Sequence, residues 1–88
     1  MNQQNLEASF SALVMSIASS AAMALGLAPS PEGELKKDKV MARFYIDLLK
    51  TLENKTQKNL TEEEHKLLQN ILTDLQLKYV DISAEEAP

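Results

Sequence analysis

The sequence predicts an all-α fold: a three-helix antiparallel bundle or hairpin assembly, completed by homodimerisation. Three observations carry that expectation. Apolar residues recur at three- and four-residue spacing in three long segments. Both Gly and two of the three Pro fall between the first and second of those segments, and the third Pro ends the chain, as helix punctuation should. The first segment is apolar around its whole circumference, more than one chain of 88 residues can cover. A chain this short builds one core rather than two, so residues 1–82 are expected to be a single domain and 83–88 a flexible acidic tail.

The first helix is expected over about 6–25, closed by Gly26, which suits the left-handed residue just past a helix end. Pro29 and Pro31 then deny the backbone donors that a continuing helix would need. The second helix is expected over about 37–54, and the stretch KTQKN turns the chain. The third, about 62–82, opens on TEEE, a capping box: the Thr61 hydroxyl can accept from the Glu64 amide while the Glu64 carboxylate reaches back. Glu62 and Glu63 place negative charge on the positive end of the helix dipole.

The faces differ among the three. In the third helix, Leu68, Leu72, Leu75, Tyr79 and Ile82 form one seam widened by Leu67 and Ile71, with Leu77 and Val80 on the otherwise polar side. In the second, Met41, Phe44, Tyr45, Leu48 and Leu52 make a face that Ala42, Ile46 and Leu49 extend, so this helix is expected to sit between two neighbours. The first helix sends Leu6, Phe10, Leu13, Val14, Ile17, Ala21 and Leu25 to a core side. Its reverse side carries Ala8, Ala12, Met15, Ser16, Ser19 and Met23, small or flexible residues that another helix can approach closely. Those six, with Leu77 and Val80, are the expected interface.

No charge interrupts the chain from Ala8 to Ser30, which raises a membrane span as an alternative. Several Ser residues within the run, and no Trp, Tyr or basic residue flanking its start, argue for a soluble helix instead. MNQQNLE has no positive charge and contains Glu7, so an export signal is not expected. The protein is therefore read as a cytoplasmic, non-enzymatic, self-associating interaction module. A second protein covering the same face is the competing partner, and a membrane-associated protein anchored through the first helix is the alternative function.

The runs FSALVMSIASSAAMALGL, IDLLKTLENKT and NLTEEEHKLL, in that order and spacing, resemble a family of short bacterial proteins catalogued only as a domain of unknown function. The resemblance extends from Phe10 to about Val80. It implies a compact all-helical bacterial protein and brings no catalytic residues with it; the stretch LKKDKVMAR is richer in Lys than the family's usual pattern.

Other chemistry is weakly supported. The chain has no Cys, which removes disulfides and thiolate ligands. A net charge of -4 disfavours nucleic acid, because phosphate binding needs a basic surface. The cluster Lys36, Lys37 and Lys39 is offset by Glu32, Glu34 and Asp38. Glu62 and His65 have the three-residue spacing of carboxylate-bridged metal bundles, but such sites need further inward acids and the first helix has none after Glu7. No metal or cofactor is expected. Asp47 and Asp74 read as solvating charges, Asn54 and Asn59 as chance glycosylation triplets, and Phe44 and Tyr45 beside Arg43 as core rather than a base-stacking platform.

Overall fold

The computed structural model describes residues 7–86, and Leu6 lies outside them. The element order is α1 (Phe10–Ala24), α2 (Lys39–Lys55) and α3 (Glu62–Glu86), all α-helical as expected. α1 begins four residues later than the sequence suggested. Ser9 is extended, and its hydroxyl accepts from the Ala12 amide at 3.1 Å, so it caps the helix and leaves Ala8 ahead of it.

The other end of α1 closes as a Schellman motif. The Leu27 amide donates to the Ala22 carbonyl (2.9 Å) and the Gly26 amide to that of Met23 (3.0 Å), with Gly26 at φ +78°. The chain then loops through Pro29 and Pro31 and returns, Lys37 pairing antiparallel with Leu25 and the Asp38 amide donating to the Ala24 carbonyl at 2.7 Å. Asp38 also caps α2, its carboxylate accepting from the Met41 amide at 3.1 Å. This return pins the end of α1 to the start of α2. The two therefore form a hairpin.

At the far end of α2 the Thr56 hydroxyl donates to the Leu52 carbonyl, and Lys58 takes a left-handed conformation, φ 69°, to turn the chain. The capping box forms as the sequence indicated: the Thr61 amide donates to Glu64 Oε1 (2.9 Å) and the Glu64 amide to Thr61 Oγ1 (3.1 Å). α3 runs on to Glu86, past the end expected near Ile82, so residues 83–86 of the supposed tail are helical. Ile82 is buried, which ties the last turns to the core, and no proline intervenes before Pro88.

Each helix touches both others, α1 against α2 most extensively and α1 against α3 least. The core gathers Val14, Ala21 and Leu25 from α1 and its end, Ala42, Ile46 and Leu49 from α2, and Leu68, Leu72, Leu75 and Ile82 from α3. All are aliphatic, so the core itself is held by close packing. α2 and α3 are further joined by a hydrogen bond from the Gln69 amide to the Glu53 carboxylate and by the Arg43 guanidinium 5.9 Å above the Tyr79 ring. The hydrogen bond to Tyr79, and then the charge of Asp47 beside it, raise the Arg43 pKa further above its ordinary value. The Cα radius of gyration is 14.2 Å, against about 12 Å for a compact domain of this length. The single chain leaves more surface in water than its size requires.

Candidate interaction surface

The fold divides the apolar surface of the hairpin into two sides. α3 lies against α2 on the side of Arg43, Ile46 and Glu53. It approaches α1 at a shallow cleft formed by Met15, Ala18, Ser19 and Ala22 with Ile71, Asp74 and Leu75. At 3.6 residues per turn, Met41, Phe44 and Leu48 stand roughly 100–180° around α2 from the α3 contact, and Leu13 stands at least about 120° around α1 from it. Both sets fall on the face of the hairpin that α3 leaves uncovered.

The accessibilities agree with this placement. Phe44 is 50% exposed, Met41 37% and Leu13 47%, while Ile17, Tyr45, Leu48 and Leu52 beside them are half-buried. Two expectations are corrected here. Phe44 is not core: its ring meets Tyr45 edge-on, at 5.4 Å between centroids, and its other side faces water. Leu13 likewise sits at the rim of the core side of α1 rather than in it. The inward arc of α2 is taken by Ala42, Ile46 and Leu49, all buried, and Phe44 stands roughly 140–160° around the helix from each of them.

The residues of the expected interface do not form one patch. Ala12, Met15, Ser16 and Ser19 are exposed on the outer side of α1, Met23 is half-buried, and Ala8 is exposed ahead of the helix. Leu77 and Val80 are also exposed, by 61% and 62%, but on another wall. Val80 borders a cleft with Arg43, Ile46 and Tyr79, next to α2 and away from α1. The exposure of this face is not legible from periodicity, because Met41 and Phe44 are the large residues of an apolar arc and so point to the core. The signal that could have found it is Ala42, a small residue flanked by Ile46 and Leu49 at helical spacing.

The candidate polar sites stay apart. Glu62 and His65 border an open depression at the α2–α3 turn with Glu53 and Thr56. Among the described residues, no group of three or more His, Cys, Asp or Glu is gathered as a metal would need. Asp47 pairs with Arg43 at 3.4 Å, whereas Asp74 borders the α1–α3 cleft, so the two acids do not meet.

A family model described as a domain of unknown function, DUF1844, matches residues 7–81. The chain belongs to the DUF1844 family. The match spans all of α1 and α2 and most of α3, so the hairpin and its uncovered face lie within the DUF1844 region. Comparison with curated proteins and with solved structures finds no match. Among the described residues, no helix is long and apolar enough to cross a membrane. α1, with 15 residues, is about 22 Å long against the roughly 30 Å of a bilayer's hydrocarbon core. That overturns the spanning form of the membrane reading.

Proposed function

We propose that this chain is a non-enzymatic, self-associating helical module of the bacterial cytoplasm, whose working unit is a homodimer. The observation that carries the reading is the set of large apolar side chains left in water along the α1–α2 hairpin, Leu13, Met41 and Phe44 with Met15 on the neighbouring side. A monomer gains nothing from them, and a two-fold pair is the commonest closed arrangement that covers such a surface.

Magnitudes separate the uncovered face of the hairpin from the outer side of α1. The exposed fractions of Leu13, Met41 and Phe44 together equal about one and a third whole side chains, worth roughly 2–4 kcal/mol per chain on burial. On the outer side of α1, where Ala12, Ser16 and Ser19 are small, Met15 is the one large residue, 48% exposed and worth roughly 1 kcal/mol. The outer side can add to a contact more readily than it can create one. Light scattering at micromolar concentration tests the reading: a mass twice 9.8 kDa is expected, and a chain monomeric at every accessible concentration refutes it. Cell fractionation checks the compartment, with recovery in the membrane pool counting against it.

A further inference from the structure

We infer that the second copy seats on the face of the hairpin opposite α3, hairpin against hairpin, so that α1 and α2 of both chains form a four-helix core with the two α3 helices outside. This rests on the self-association reading above and locates its contact. The layering supplies the first argument. A helical hairpin has two broad sides and α3 covers one, which leaves Leu13, Met41 and Phe44, with Ile17, Tyr45 and Leu48 behind them, uncovered on the other.

Charge supplies the second. A two-fold contact brings each residue near the axis against its own copy, so a charged residue there would meet its like. None of those six carries charge, and Lys55, the charged residue on the same stripe of α2, stands at the helix end about two turns past Leu48.

Size supplies the third. Helices of 15 and 17 residues lying side by side present about 25 Å by about 20 Å, a projected footprint near 500 Å². With the relief of ridges and grooves, the accessible area reaches the order of the roughly 800 Å² per partner that stable pairs bury. A single docked helix from another protein would cover only about half of that width.

Sedimentation equilibrium on the full chain provides the test, with Phe44→Glu and Met15→Glu compared at matched helicity by circular dichroism. Wild type is expected at twice the chain mass. Phe44→Glu should weaken the pair about 100-fold or more, since it buries a carboxylate against its copy, while Met15→Glu should leave the pair within about tenfold of wild type. Should Phe44→Glu lose its helicity, single cysteines in this cysteine-free chain decide the matter. A short bismaleimide should then link Phe44→Cys into pairs and leave Met15→Cys unlinked. A wild type that stays monomeric overturns self-association itself. A dimer that survives Phe44→Glu and is lost with Met15→Glu, or one that links through Met15→Cys alone, overturns only the assignment of the face.

Discussion

Replacing Gly26 by Ala probes the joint that sets the hairpin. Two effects oppose the substitution. Gly26 lies at φ +78°, where an L side chain costs roughly 1–2 kcal/mol, and an added Cβ would stand 2.8 Å from Lys37 Cγ. One effect favours it: alanine restricts the unfolded chain, worth about 0.4–1 kcal/mol. Lys37 Cγ lies next to a backbone paired with Leu25, so relieving the contact takes a χ1 change and adds roughly 0.5–1 kcal/mol. The net expectation is a loss of about 1–2 kcal/mol, each kcal/mol read as a fall in Tm of roughly 4–8 °C for a domain of this size. The scans are run at one protein concentration, because Tm shifts with concentration for any chain that self-associates. Repeating the substitution in a Lys37→Ala background removes the close atom and isolates the backbone term. If Gly26→Ala melts at or above wild type in both backgrounds, the left-handed closure of α1 is refuted.

Further substitutions test the remaining parts of the fold. Leu49→Ala removes a fully buried side chain at the centre of the core and should cost about 2–5 kcal/mol by urea titration; a loss under about 1 kcal/mol would contradict its burial. Thr61→Ala should cost about 1 kcal/mol by breaking the capping box at its hydroxyl, and an unchanged midpoint would count against that cap. Lys58→Gly relieves a left-handed backbone and should raise stability by up to about 1 kcal/mol; a lower melting temperature would argue against that conformation. Adding zinc or a chelator should leave the melting temperature of wild type and of His65→Ala unchanged, and a metal-dependent rise confined to wild type would revive the Glu62 and His65 pair as a ligand set.

Much of the fold can be read from single residues whose chemistry is local. Gly26 and the Thr61–Glu64 box mark a helix end and a helix start because the groups that satisfy the backbone lie within five residues of one another. The start of α1 is less legible, since Leu6, Ala8 and Ser9 all fit a helix until the Ser9 hydroxyl is seen to close on Ala12. The end of α3 depends on the burial of Ile82, a tertiary contact that outweighs the acids around Glu85 and Glu86. The candidate surface is harder still. Periodicity shows that α2 is apolar over a wide arc, but the part that turns inward, Ala42, Ile46 and Leu49 rather than the larger Met41 and Phe44, is set by tertiary packing that periodicity does not carry.

The connections place sequence neighbours side by side: α1 returns onto α2 through one loop and α2 onto α3 through one turn. Topologies of such low contact order reach the native state in microseconds to milliseconds. The bundle therefore forms from contacts close in sequence, and a newly made chain exposes its aliphatic core to water only briefly.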